Sequence, residues 1–299
     1  MREGRFFFEW TVVESTNLTD RRKRALERLM DDESEVVQAA IAAELRRCGE
    51  EGCAFLKDLA EGTNRILAAH AKSLMQQLGS EDTVGDFRDF IQSFRYELET
   101  GCLMLDRTVY PKLDASEVCL FLDSVAARCR EIMVLPGTAI ERCKVLNRVL
   151  FHEFGFRGDV ENFYNPDNSF LSQVIKRRRG IPITLSIIYI LVGQRCNIQL
   201  EPISVPGRFM VGCFEGEEPF YIDCFERGCF RSVEDVRRII EANFSDDPEP
   251  HLKPAPVGEV LCRCCRNLVN QYASANDERM VRVFSDFVNA FDSTYRRQQ

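Results

Sequence analysis

Between Leu18 and Gly79 the apolar positions recur at helical spacing in two successive units. Leu26, Leu29, Val36, Val37, Leu45 and Gly49 return further along as Leu56, Leu59, Ile66, Leu67, Met75 and Gly79. Asp31-Asp32-Glu33-Ser34 breaks the first unit and reads as a turn, so each unit predicts a helical hairpin. Ser80-Glu81-Asp82-Thr83-Val84-Gly85 is polar and predicts a linker. From Phe87 to Phe156 the pattern is helical again. Phe87, Phe90, Ile91 and Phe94 form one stripe, and Val118, Leu122, Val125 and Cys129 form another. Leu103 to Leu105, followed by Pro111, marks a break between helices.

The texture changes at Gly155. Phe163-Tyr164-Asn165-Pro166-Asp167-Asn168 reads as a loop. Pro182 suits the first position of a helix, because a proline has no N–H to leave unpaired there. Ile183 to Gln194 is apolar around most of its circumference and predicts a buried helix. Leu200 to Val205 reads as a strand ended by Pro206-Gly207. Phe209 to Phe214 and Phe220 to Phe225 read as antiparallel strands around Glu215-Gly216-Glu217-Glu218. Ser232 to Ala242 opens as a capped helix with Asp235 at its third position. Asp246-Asp247-Pro248-Glu249-Pro250 is a linker, and Val257 to Phe291 a final helical pair. Three regions follow: 1–85, a helical front; 86–245, a mixed core; and 246–299, a linker with a helical hairpin. The fold class is α+β with a small antiparallel sheet. The paired hairpins of the front resemble HEAT-like repeats, which stack to share a core.

Composition narrows the function. Apolar residues make up 45% of the 299 positions, enough for real cores. A net charge of −8 and a pI near 5.2 argue against nonspecific binding to nucleic acid or anionic membrane. No apolar run has the length of a membrane span. The charged start Met1-Arg2-Glu3-Gly4-Arg5 leads into an apolar stretch that stops at Glu9, unlike a signal peptide, so the expected location is cytoplasmic. Phe6-Phe7-Phe8-Glu9-Trp10 is expected to dock on the body of the protein. The 13 cysteines are odd in number and scattered, so they read as reduced, buried thiols. Cys262 and Cys265, with Cys224 and Cys229, have zinc-like spacings, but the former pair lies in an apolar helical stripe. Core packing is preferred, and no metal or cofactor is expected. Lys176-Arg177-Arg178-Arg179 reads as a helix end, where cations offset the negative end of the helix. Of His70, His152 and His251, His152 beside Phe151 and Phe154 reads as a packing residue.

One set of segments carries a family likeness. It comprises Gly155-Phe156, Gly158, Tyr164-Asn165-Pro166 and Asn168-Ser169-Phe170-Leu171. It continues with Arg178-Arg179-Gly180-Ile181-Pro182-Ile183-Thr184-Leu185-Ser186, then Pro206-Gly207-Arg208-Phe209 and Ile222-Asp223. Together they resemble the SirB-type, transglutaminase-like family, whose core also occurs inside an F-box protein. The likeness covers about residues 95–245. It continues more weakly through Val260-Leu261-Cys262-Arg263 and Asn267-Leu268. It implies a papain-like core followed by a shortened helical tail.

The parent chemistry is a cysteine–histidine–aspartate triad. A cysteine at a helix N-terminus ionises readily, a histidine on the next strand takes its proton, and an aspartate orients the histidine. The helix start Gly180 to Ser186 has no cysteine, only the hydroxyls of Thr184 and Ser186. Arg208 stands in the Pro-Gly-His-Phe motif at the histidine, and arginine is no base near neutral pH. Only Asp223 of the triad remains. The candidate relic cleft is Pro182, Thr184, Ser186, Arg208 and Asp223. In a hairpin turning at Glu215-Gly216, Arg208 and Asp223 fall opposite each other and are expected to form an ion pair. Were both buried, losing one partner would cost about 3–5 kcal/mol.

The reading is a non-catalytic binding or regulatory module whose helical repeats face a protein partner. One alternative is a sensor gripping an anionic small molecule at Arg208. The other is a hydrolase or acyltransferase with a displaced nucleophile, Thr184 or Ser186.

Overall fold

The computed structural model describes residues 18–30, 34–78, 82–216, 218–243 and 247–296. Phe6 to Trp10, most of the Asp31–Ser34 turn and Ser80-Glu81 lie outside the described residues. The chain divides into two compact units, Met1–Asp82 and Thr83–Gln299.

The first unit holds four helices: α1 (Asp20–Leu29), α2 (Glu35–Arg47), α3 (Glu50–Glu61) and α4 (Arg65–Leu78). Their core includes Leu26, Met30, Ile41, Leu45, Leu56, Ala71 and Leu74. Three of the pairs matched by the sequence repeat share environments, while Leu29 is exposed where Leu59 is half-buried and Leu45 is buried where Met75 is half-buried. Leu26 and Leu56 are both buried, Val37 and Leu67 are both half-buried, and Val36 and Ile66 are both exposed.

The second unit opens with α5 (Thr83–Gln92), α6 (Leu98–Arg107), α7 (Ala115–Ile132) and α8 (Ala139–Asn147), the last running into a π-helical turn at Arg148–Glu153. Helix α5 begins at Thr83, so the part of the expected linker that is described, apart from Asp82, is helical. Phe94 lies beyond the end of α5 with φ of 57° and is exposed, so it leaves the stripe that Phe87 and Ile91 bury. His152 is also exposed, unlike the packing histidine the sequence suggested. It sits on the π-helical turn, which directs Phe151 inward and His152 outward.

At the centre lies α10 (Pro182–Arg195), reached through α9 (Leu171–Arg177). Pro182 takes the first helical position, and Ile183 to Gly193 is buried throughout, which explains why this segment is apolar all round. Two-residue strands β1 (Arg157–Gly158) and β2 (Arg179–Gly180) pair in parallel beside its start. The main sheet is an antiparallel meander of β3 (Glu201–Ile203), β4 (Met210–Cys213), β5 (Phe220–Asp223) and β6 (Cys229–Ser232). Alternation sorts its faces. Val211 and Ile222 join the core around α10, while Met210 and Tyr221 join Val236 and Ile240 of α11 (Val233–Asn243). The sheet is thus covered by a helix on each side, and β4 is buried on both faces.

The chain ends in the expected hairpin, α12 (Val257–Ser274) and α13 (Glu278–Arg296). Phe284, Phe287 and Phe291 of α13 are fully buried, and Phe287 meets Phe87 of α5 edge-on with ring centroids 4.9 Å apart. Among the described residues no helix is long and apolar enough to cross a membrane.

Candidate functional site

The loop and helix starts around the N-terminus of α10 are held by a few buried polar residues. Asn168, fully buried, donates from its amide to the Asn162 carbonyl at 2.7 Å and accepts from Arg177 at 3.1 Å. Its own carbonyl accepts from the Thr184 hydroxyl at 2.9 Å and from the Ile181 N–H at 3.4 Å. Asp159, buried, accepts from Arg177 at 3.2 Å and lies 3.8 Å from Arg179. Asp106 of α6 accepts from the Leu171 and Ser172 N–H groups at 3.0 and 2.6 Å and so caps α9 from a distant helix. Burial pushes its carboxyl up to about 7, against the pull of those two N–H groups. Arg178 ends α9 in the left-handed region with φ of 59° and lays its guanidinium 4.1 Å from the Phe121 ring centroid and 4.9 Å from that of Phe156. The three arginines of the basic run are therefore built into the body of the protein, while Lys176 is exposed: Arg177 and Arg179 meet carboxylates and Arg178 meets aromatic faces.

The five residues of the predicted cleft divide into two groups. Pro182 and Arg208 face a common cavity, with Asp223 behind Arg208. Thr184 and Ser186 do not line it. The Thr184 hydroxyl is spent on Asn168, and the Ser186 hydroxyl is buried against the Cys224 thiol. Both follow from their places on α10, whose whole circumference from Ile183 to Gly193 is enclosed.

Arg208 donates to Asp223 at 2.7 Å and to Glu226 at 3.2 Å. The register sets Val211 against Ile222, so Asp223 faces position 210 and does not fall opposite Arg208 as the hairpin reading expected. Arg208 lies before the start of β4, and its long side chain covers the diagonal. Asp223 also accepts the N–H groups of Phe225 and Glu226, at 3.1 and 3.2 Å, which closes the turn after β5. Burial raises the Asp223 carboxyl above its usual value, opposed by the Glu226 N–H and by the charge of Arg208. Asp223 is 4% exposed but Arg208 is 41% exposed, so the pair is anchored at one end only.

The cavity measures about 210 Å³. Ile181, Pro182 and Ile183 form one wall, at an α10 N-terminus that no side chain caps. Gly207, Arg208 and Phe209 form a second, and Phe163 and Tyr164 a third. The fourth is a polar stripe on α12: Arg263, Asn267, Asn270 and Gln271. Arg263 donates to Ser204 Oγ at 2.7 Å and to the carbonyls of Val205 and Arg208 at 3.0 and 2.8 Å. Its guanidinium sits 5.4 Å from the Phe209 ring centroid. Burial lowers its pKa from the usual arginine value, and among the described residues no carboxylate pairs with it. Gln271 is 3% exposed, and its Oε1 accepts from Ser169 Oγ at 2.7 Å.

Sequence reasoning missed the α12 stripe and Glu226. The signal for the stripe was available: residues 263, 267, 270 and 271 fall on one helical face, polar amid Val260, Leu261, Cys264, Cys265 and Leu268. Nothing local marked Glu226, because its role depends on the turn that brings it back to Arg208.

Comparison with known proteins agrees with this architecture. A family model described as the transglutaminase-like superfamily matches residues 116–266, about half of the chain. A UPF0162 protein of Xylella fastidiosa is 32% identical over 189 residues, which cover 60% of this chain and 66% of that protein. A UPF0162 protein of Vibrio cholerae is 28% identical over 43% of this chain and 48% of its own length. The F-box only protein 21 of Mus musculus is 32% identical over 57% of this chain and 32% of its own. The chain thus spans less than two thirds of the length of each of these relatives. No solved structure matches. The matched segment runs from α7 into α12 and contains α10, the four-stranded sheet and the cavity lining as far as Arg263, and on that basis this chain belongs to the transglutaminase-like superfamily.

Proposed function

We propose that this protein is a non-catalytic transglutaminase-like module with a regulatory or protein-interaction role. The observation that carries the reading is Arg208. It stands where the family places its base, it is held between Asp223 and Glu226, and it cannot accept a proton near neutral pH. Thr184 and Ser186 face away from the cavity, so neither hydroxyl meets a base there. In the first unit, the two hairpins act as a HEAT-like surface for a protein partner. The repeat-equivalent Val36 and Ile66, 80% and 62% exposed, support that surface. The 13 free cysteines fit a reducing, cytoplasmic setting.

Hydrolysis of activated esters and peptide amides tests the reading. The wild-type chain is expected to match its heat-denatured control. Turnover that disappears in Thr184→Val, Ser186→Ala or Asp223→Ala would instead establish a displaced nucleophile.

A second reading is a sensor that holds an anionic small molecule in the old cleft, and the cavity itself favours it. Its anchor is not the Arg208 charge, which two carboxylates already match.

A further inference from the structure

We infer that the cavity between the start of α10 and the polar stripe of α12 binds a small monocarboxylate with an apolar body, with Arg263 and Gln271 as its recognition groups. This rests on the sensor reading and supplies its ligand class.

Charge selects the ligand. Arg208 and Arg231 together are matched by Asp223 and Glu226, whereas the cavity lining contains no carboxylate and among the described residues Arg263 has none within ion-pair distance. The excess is therefore a single positive charge, reinforced by the uncapped end of α10. That suits a monoanion better than a phosphate dianion, which would leave charge unmatched in a partly enclosed space.

Hydrogen bonding places the carboxylate. Arg263 spends three N–H bonds on Ser204, Val205 and Arg208, which fixes its guanidinium, and its Nε–H and one Nη1–H have no protein acceptor among the described residues. Gln271 is 97% enclosed, from its 3% exposure, and lines the cavity. Ser169 holds its oxygen, so its amide nitrogen is presented as a donor with no protein acceptor among the described residues. That donor opens onto the cavity, where a carboxylate oxygen can meet it.

The remaining walls select the body. Ile181, Pro182, Phe163 and Phe209 offer apolar and aromatic surface. At about 210 Å³ the space falls below that of typical drug-sized sites, and it suits a ring or a short chain.

Calorimetric titration of the full chain with benzoate, benzamide and inorganic phosphate tests the inference. Benzoate is expected to bind saturably. Benzamide, of the same shape without the charge, is expected to bind about tenfold or more weakly, and phosphate to give no saturable heat. Asn270→Asp places a like charge on an exposed position of the stripe. It should weaken benzoate about tenfold while leaving the melting temperature near that of wild type. Arg263→Gln should abolish binding. If loss of its hold on residues 204–208 unfolds that variant, Asn270→Asp still decides. Arg208→Gln should change benzoate affinity by less than about threefold, since its charge is already matched.

Equal binding of benzoate and benzamide, an unchanged affinity in Asn270→Asp, or no saturable binding at all overturns the inference. Absence of both binding and turnover removes the site but leaves the non-catalytic reading intact. Saturable benzoate binding together with hydrolysis of benzoyl esters removes the non-catalytic reading but leaves the site.

Discussion

Arg208 and Asp223 show how far a single position can be read. Their pairing was legible from the motif and the hairpin. Its strength was not, because exposure is a tertiary quantity. With Arg208 41% exposed, the cost expected for a fully buried pair does not apply. Asp223 also keeps two backbone N–H donors when the arginine is removed. Arg208→Ala should therefore destabilise by about 1–2 kcal/mol, read as a lower urea midpoint at unchanged slope. Asp106 makes the opposite case. Nothing near it in sequence marks it, since its partners lie 65 and 66 residues away. Its carboxyl, raised to about 7, binds its proton more tightly in the folded state than in the unfolded chain. Its contribution is full below about pH 4, declines as the pH rises towards 7, and is flat above that. Wild type should lose on the order of 4 kcal/mol across that window from this group. In Asp106→Asn that slope should disappear, so urea midpoints at pH 5 and pH 8 should converge relative to wild type. A difference between the two midpoints as large as in wild type would refute the assignment.

Elements were legible where local chemistry and burial agree. Pro182 starts α10, and Ser232 and Asp235 bond reciprocally at the start of α11, as the capping pattern required. Strand β6 was missed. It is short, lies at the sheet edge and lacks clear alternation, so only its pairing with β5 defines it. Close helix approach was also hidden from the sequence. Gly101 of α6 faces α12, and a Cβ there would lie 2.5 Å from Leu261 Cδ1 and 3.2 Å from Phe90 Cε1. Gly101→Val should overpack this contact and cost about 1–3 kcal/mol, measurable as a fall in melting temperature.

At the scale of the whole molecule, the largest core draws only on residues of the second unit, from Val84 to Phe291. A fragment starting at Thr83 should accordingly unfold cooperatively, with near-native circular dichroism. Deleting α13 from it should expose the aromatic surface that Phe284, Phe287 and Phe291 cover, giving strong dye binding and loss of the cooperative transition. The sequence placed the C-terminal hairpin in a region of its own behind a linker. In the structure its aromatic residues complete the core that begins at α5.

By itself the sequence determined the helical front, the buried α10, the antiparallel strands and the absence of a cysteine from Gly180 to Ser186 and of a histidine from Pro206 to Phe209. Each is a matter of spacing, or of which side chain occupies a position. Tertiary structure alone decided that Thr184 and Ser186 are sealed away, that Glu226 returns to Arg208, and that Arg263 and Gln271 close the cavity. Those outcomes depend on which groups converge across long stretches of chain and on how much water reaches them, and periodicity along a chain carries neither.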